Sequence, residues 1–274
     1  MIKLKTFGSF TVGNGLTSVQ EGAWRSEKLE KLFVYLAMNR NRGVCIEDIS
    51  EAIWQVEEET DNPVGALKNL AYRLRKALRD ASFGEECIVS VRGGLYKWND
   101  DVEVTIDVEE FDRYINEAEM AFCRSKETAI ESYEKAIALY HGDFLPLRTD
   151  THWFMTLNAF YHSRYVNTVK ALAKLYIDTG CYEKLEQLCT RAIVYERSDE
   201  QIYSYLIVAR MRTKKVQMAF DTYETAKAIM DKDLGVRKTV MLNKVYEELL
   251  SVTKGASSYN ICLLYTSPSP RDRG

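Results

Sequence analysis

The second half of the chain carries an almost unbroken helical periodicity, and this feature limits the fold more than any other. From about Asp107 onward, apolar residues recur every three or four positions through seven consecutive segments. Only four prolines occur in 274 residues, so the sequence rarely interrupts a helix. We therefore predict a mainly α-helical chain whose later part is a stack of amphipathic helices.

Two of these helical stretches repeat each other. The stretch that begins at Ala171 aligns without gaps with the stretch that begins at Tyr205, an offset of 34 residues, which is the tetratricopeptide (TPR) period. A small–large–small pattern that suits close helix packing recurs at Ala219, Tyr223 and Ala226, at Ala129, Tyr133 and Ala136, and in degenerate form at Leu185, Cys189 and Ala192. The pattern indicates a TPR-like domain, and chance similarity between amphipathic helices is the alternative.

The first hundred residues read differently, as a mixture of strands and helices. Ile2, Leu4 and Thr6 alternate with two lysines, as in a half-buried strand, and Asn14-Gly15 is a strong turn signal. The predicted helices begin near Ser26, cover roughly Ile46–Trp54, and run from Pro63 to Asp80 with Asn62 as the cap. Two apolar runs around Arg92-Gly93-Gly94 then predict a β-hairpin.

This order of elements is that of a winged helix-turn-helix. The loop QVEEETDN between the second and third helices is longer than a tight helix-turn-helix turn and is typical of the OmpR-type variant. The predicted fold is mainly α with a small α+β N-terminal part. We expect an OmpR-type winged helix over 1–100, a TPR-like activator domain over 101–254, and a disordered tail over 255–274, whose end resembles a translated sequencing-adapter read-through and is interpreted as an artefact.

The third predicted helix has the composition of a DNA-recognition helix. The net charge of the chain is −3, which argues against a uniformly basic nucleic-acid binder, but Pro63–Arg79 holds five basic residues and no acidic one. A helical wheel buries one apolar stripe: Val64, Leu67, Ala71, Leu74 and Leu78. The opposite face carries Asn69, Arg73 and Lys76 beside Tyr72, and the borders carry Lys68, Arg75 and Arg79. Such side chains reach base edges and phosphates, so this face suits DNA binding. The alternative is a helix face that is merely solvated.

Two loops extend this hypothesis. Arg92, at the tip of the predicted hairpin, is placed to enter a minor groove or to hold a phosphate. The loop before the basic helix carries four carboxylates, which DNA would repel and a basic protein surface would attract. We expect this loop to contact a protein partner, and a merely solvated loop is the equal alternative. The four carboxylates are those of Glu57, Glu58, Glu59 and Asp61.

Other functional classes find little support in the sequence. No long apolar run or leader pattern occurs, so we expect no membrane span and no export, and six dispersed cysteines suit a reducing cytoplasm. No HExxH, GxSxG, Walker A or GxGxxG motif is present. The three histidines, His141, His152 and His162, are interpreted as surface or hydrogen-bonded residues, and His152 and His162, ten residues apart on a predicted helix, lie too far apart to share a metal ion. We expect no enzyme activity, no metal and no cofactor.

Four segments together resemble one protein family. WRSEKLEKLFVYLAMNRNRGV, DISEAIW, NPVGALKNLAYRLRKAL and IVSVRGGLYKW are similar, in this order, to the SARP/BTAD bacterial transcription activators, in which an OmpR-type winged helix precedes a bacterial transcriptional activator domain. VEVTIDVEEFD resembles the family's junction, where an Asp and a Phe open the second domain. The resemblance covers about residues 1–253 and implicates Arg73, Arg75 and Lys76, while Asn69 and Tyr72 depart from the family pattern.

The resemblance implies an activator that binds direct repeats in promoter DNA and recruits RNA polymerase, with the acidic loop as the polymerase contact. Whether it binds as a homodimer stays open. The alternative is a TPR-type interaction or sensor protein whose winged helix is not a specific DNA reader.

Overall fold

The computed structural model describes residues 1–55, 62–83, 87–91, 94–148, 150–233 and 239–256. The N-terminal elements are β1 (Ile2–Lys5), β2 (Thr11–Gly13), β3 (Ser18–Gln20), α1 (Glu27–Met38), α2 (Ile46–Ile53), α3 (Pro63–Asp80), β4 (Ile88–Val91), β5 (Leu95–Trp98) and β6 (Val104–Ile106). The helices that follow are α4 (Asp107–Ala121), α5 (Lys126–Leu139), α6 (His152–Asp178), α7 (Tyr182–Tyr195), α8 (Glu200–Arg212), α9 (Val216–Asp233) and α10 (Val240–Ala256), with a 3-10 turn at Pro146–Arg148. The predicted mainly helical fold with a small N-terminal sheet is confirmed.

A four-stranded sheet in the order β3-β2-β1-β6 opens the fold. The alternation predicted for β1 is confirmed, because Ile2, Leu4 and Thr6 are buried while both lysines are exposed. The predicted turn joins β2 to β3. Strand β6, which the sequence pattern did not predict, pairs with β1 in parallel, with Leu4 opposite Ile106.

The winged helix is built around α1, whose residues from Leu29 to Ala37 are all buried. An aromatic cluster packs against it, in which Phe33 meets the rings of Trp24 and Trp98 edge-on, each at 5.4 Å. The β4–β5 hairpin is attached to the segment after α1 by two backbone hydrogen bonds between Val44 and Tyr96, of 2.8 and 2.9 Å. The predicted elements of the winged helix are therefore present among the described residues.

Buried ion pairs tie α1 to the segment between α5 and α6. Arg148, 5% exposed, forms an ion pair with Glu30, 2% exposed, and lies 3.3 Å from Glu21. The next residue on α1, Lys31, is equally buried and pairs with Asp150. A buried charge without a partner is strongly unfavourable, so these pairs fix the positions of Arg148 and Asp150 on α1.

A second polar junction lies where β6 passes into α4. The Asp107 carboxylate accepts hydrogen bonds from the backbone N–H groups of Thr6 and Phe7, at 2.7 and 3.0 Å, and from the Thr6 hydroxyl at 2.6 Å. Burial raises the pKa of Asp107, and these hydrogen bonds oppose that effect. Phe111, one turn later, is fully buried against Phe7. The Asp and Phe of the predicted junction thus both have structural roles.

The chain divides into two compact units, Met1–Thr168 and Val169–Gly274. The first unit joins the strands and α1–α3 to α4, α5 and the start of α6, because the ion pairs of α1 and the Asp107 hydrogen bonds hold them together. This division does not test the domain boundary expected near residue 100, and the domain assignment stays a prediction.

The small–large–small positions of the repeat lie in the cores of the helical segments. Ala219 and Ala226 are fully buried and Tyr223 is 6% exposed, and Tyr223 stacks on Tyr246 with 4.1 Å between ring centroids. The corresponding positions in α5 and α7 are buried as well. In the second unit α8 packs against α7, α9 and α10. Within the described part of the chain, no helix combines the length and apolar character needed to cross a membrane.

The ion pair of Arg148 gives a stability prediction. Arg148→Met leaves the buried Glu30 carboxylate without its principal partner, so we expect the free energy of unfolding to fall by about 3–5 kcal/mol. Urea unfolding followed by tryptophan fluorescence measures this change, because all four tryptophans lie in the first unit. Arg113→Met, which removes the exposed pair with Glu117, is the control and should change little. Equal effects of the two substitutions would contradict the role of Arg148.

Candidate nucleic-acid interface

The helix α3 is held by one apolar stripe. Leu67, Ala71, Leu74 and Leu78 are fully buried, as predicted, and α3 packs against α1 and α2. The prediction for Val64 was wrong, because this side chain in the first turn is 43% exposed. The wheel did not assign Leu70 to the buried stripe, but this side chain is only 5% exposed. The core therefore covers α3 more broadly on one side than the wheel suggested, and within the described residues it leaves the first turn uncovered.

The opposite face of α3 is exposed and basic. Asn69, Arg73 and Lys76 follow one another at helical spacing, and all three are exposed. Tyr72 is 65% exposed beside them, and Lys68 and Arg79 are exposed at the borders. Among the residues that the structure describes, Lys68, Asn69, Arg73 and Lys76 have neither a hydrogen bond nor an ion pair. Their polar groups are therefore available to a ligand.

Arg75 differs from the other cations of this helix. Its side chain is half-buried, and its Nε donates a hydrogen bond of 3.1 Å to the carbonyl oxygen of Ile88 in β4. This bond spans α3 and the β4–β5 hairpin. Arg75 therefore positions the hairpin on the helix, a role that its charge alone did not reveal.

The N-terminus of α3 is capped as the sequence predicted. The Asn62 side-chain oxygen accepts a hydrogen bond of 2.9 Å from the backbone N–H of Gly65, and Pro63 is the first helical residue. A Cβ atom at position 65 would lie only 2.7 Å from the Asn62 amide nitrogen. Gly65 is thus the residue that lets the cap approach the helix.

The C-terminus of α3 is held by the β2–β3 turn. The Thr17 hydroxyl donates a hydrogen bond of 2.9 Å to the carbonyl oxygen of Ala81, and the Asn14 side-chain amide donates one of 3.0 Å to that of Ser82. The backbone N–H of Phe83 closes the helix on the carbonyl of Leu78 at 2.9 Å. This contact was not predicted, because the Asn14-Gly15 pair indicates a turn but not which carbonyl groups the turn will bond.

Several predicted site residues lie outside the described residues. They are Glu57, Glu58, Glu59, Asp61 and Arg92. The roles assigned to them stay predictions from the sequence.

The histidines lie apart from this face. His162 bonds through Nδ1 to Asp143 Oδ1 at 2.8 Å, and this contact together with Tyr140 lowers the pKa of Asp143. His141 hydrogen-bonds the carbonyl of Leu139, and His152 is exposed. In the part of the chain that the structure describes, no three His, Cys, Asp or Glu residues are grouped to hold a metal ion.

A winged helix whose third helix has an exposed basic face, followed by a helical domain, defines the class of a winged-helix transcription regulator with an attached helical module. The family model "Bacterial transcriptional activator domain" matches residues 106–250. The chain belongs to this family, the SARP/BTAD transcriptional activators.

One curated relative and one solved structure are similar to this chain. The chain is 23% identical over 238 residues to the transcriptional regulator RedD of Streptomyces coelicolor. The matched region covers 86% of this chain and 67% of RedD. Its fold is similar to that of Mycobacterium tuberculosis EmbR, solved in complex with a low-affinity phosphopeptide, with a TM-score of 0.69 and 19% identity over 94% of this chain and 68% of that one. The EmbR similarity concerns the fold.

The cap of α3 can be tested against a matched serine. Asn62→Ala removes the side-chain bond to Gly65, so we expect a loss of about 1 kcal/mol in stability and faster amide exchange in the first turn of α3. Ser26 occupies the same position before α1 but makes no side-chain cap bond, so Ser26→Ala should change neither quantity. Hydrogen exchange by mass spectrometry measures both variants, and unchanged exchange in Asn62→Ala would refute the assigned cap.

Proposed function

We propose that this protein is a transcriptional activator that binds double-stranded DNA at promoter repeats and recruits RNA polymerase. The exposed basic face of α3, on which Lys68, Arg73 and Lys76 form no ion pair with a described residue, carries the proposal. A helix anchored by an apolar stripe on one side and free on the other can enter a major groove without loss of its own packing. Its membership of an activator family supports the same function.

The side chains of α3 suggest a division of labour. Arg73 and Lys76 suit guanine acceptors or phosphates, Asn69 suits adenine, and Tyr72 can bond a phosphate. Lys68 and Arg79, at the borders, suit phosphates. Arg75 is assigned a positioning role because its Nε is bonded to the hairpin. Arg92 is proposed to hold a phosphate or enter the minor groove, on its place in the sequence alone.

The DNA hypothesis predicts a salt-dependent affinity that resides in α3. We expect Arg73→Ala to weaken binding to a cognate promoter by about 1–3 kcal/mol and to alter the preferred sequence, if Arg73 reads a base. Arg73→Ala with Lys76→Ala should also reduce the slope of log affinity against log salt, because fewer counterions are released. These effects are measured by fluorescence anisotropy at several salt concentrations, with promoter DNA captured from the source genome.

A charge-matched variant controls for the total charge of the protein. Lys174 and Lys244 are exposed lysines of α6 and α10, and their double alanine variant removes two positive charges from the second unit. It should bind promoter DNA as the wild type does. Intact promoter binding by the α3 variant would leave the TPR-type interaction protein as the better hypothesis.

The acidic loop before α3 is proposed to serve activation. A DNA-bound domain would hold these carboxylates near the promoter, where phosphates repel them and a basic polymerase surface would attract them. Replacing Glu57, Glu58 and Glu59 by Gln and Asp61 by Asn should keep or slightly raise promoter affinity while lowering transcription in a reconstituted assay. Unchanged transcription at saturating promoter occupancy would remove this role and leave polymerase contact to the helical domain.

A further inference from the structure

A groove lies on the lysine-bearing face of the four-stranded sheet, and no residue of α3 lines it. Its volume is about 570 Å³, within the range of small-molecule sites. The groove lies entirely in the first unit. Side chains from the strands line one side, and residues of α4 and of the end of α5 line the other.

Two lysines dominate the sheet side of the groove. Lys3 and Lys5 are exposed, and neither forms an ion pair or a hydrogen bond with any described residue. Residues two apart on a strand point to the same face with about 6.6–6.8 Å between them, so two flexible ammonium groups can converge on one anion. Opposite Lys3 stands Thr105, and opposite Lys5 stands Thr11, which places a hydroxyl beside each lysine.

The other side of the groove is fixed and offers acceptors. The Gly8 N–H donates to the carbonyl of Asp143 at 2.9 Å, and a Cβ on Gly8 would lie 2.6 Å from the carbonyl oxygen of His141. His141 uses Nδ1 on the Leu139 carbonyl, which leaves Nε2 towards a ligand or solvent. Glu110 contributes a carboxylate without a described partner. The Asp107 oxygens are instead bonded to Thr6, Phe7 and Val108.

These groups have a defined complement. We propose that the groove binds a small phosphorylated polyhydroxy compound, with its phosphate on Lys3 and Lys5 and its hydroxyl groups donating to Glu110 and His141. Inorganic phosphate would satisfy the lysines but leave Glu110 and His141 without donors, and a neutral polyol would leave both ammonium groups unpaired. The ligand class therefore follows from the opposite charges on the two sides of one groove.

The test uses the full chain and three probes at constant ionic strength: glucose 6-phosphate, glucose and inorganic phosphate. Isothermal titration calorimetry should show saturable binding of glucose 6-phosphate, at least ten-fold tighter than either other probe. Backbone NMR shifts should map this binding to β1, β2 and β6. The proposal would be overturned if the binding of glucose 6-phosphate did not saturate, or if this compound bound no more tightly than inorganic phosphate.

Variants separate this groove from the basic helix, which also attracts phosphates. Lys3→Gln with Lys5→Gln should weaken glucose 6-phosphate at least ten-fold, and an unchanged melting temperature would show that the fold is kept. Lys174→Gln with Lys244→Gln, which changes the charge equally, should leave binding unchanged, as should Arg73→Ala with Lys76→Ala. If the α3 variant loses binding while the sheet variant keeps it, the phosphate binds α3 and the proposed groove is wrong.

Discussion

The buried charges of α1 are the constraint on which the first unit depends. Glu30 and Lys31 are adjacent, both 2% exposed, and bonded to Arg148 and Asp150. Removing such groups from water costs several kcal/mol for each ion, and only well-placed partners offset that cost. An apolar contact between α1 and this segment would tolerate sliding, whereas two opposite pairs at consecutive positions select one register. The segment before α6 therefore has one position on the winged helix.

The same helix joins that segment to the basic face. Most of α1 is buried, and it packs against α3 as well as carrying the ion pairs. At the sheet, Asp107 links the start of α4 to the end of β1. The basic face and the first activator helices thus belong to one compact unit. Under the proposed function, binding of α3 to DNA would orient α4 and α5 directly, without a flexible linker between reader and activator.

Local patterns in the sequence predicted local structure well. The bounds of α3, its Asn62 cap and the alternation in β1 each follow from residues within a few positions of one another. The contacts that escaped prediction join distant residues: β6 with β1, Thr17 with the end of α3, and Glu30 with Arg148. A helical wheel places a charged residue such as Glu30 on the solvent side, because its partner Arg148 lies 118 positions away in the sequence. The prediction for Val64 failed because the described elements leave this side chain 43% exposed.

The folding of α3 and its proposed recognition of DNA use different atoms. Each buried leucine contributes about 1.5–3 kcal/mol, while like charges three or four residues apart, such as Arg73 and Lys76, cost only about 0.2–0.5 kcal/mol each. The buried stripe therefore holds the helix whatever the exposed face carries. Asn69, Tyr72, Arg73 and Lys76 lie on the exposed face, whereas Arg75 also donates a hydrogen bond to the hairpin. Differences in DNA sequence preference among proteins of this fold should consequently reside at those four positions and not at Arg75.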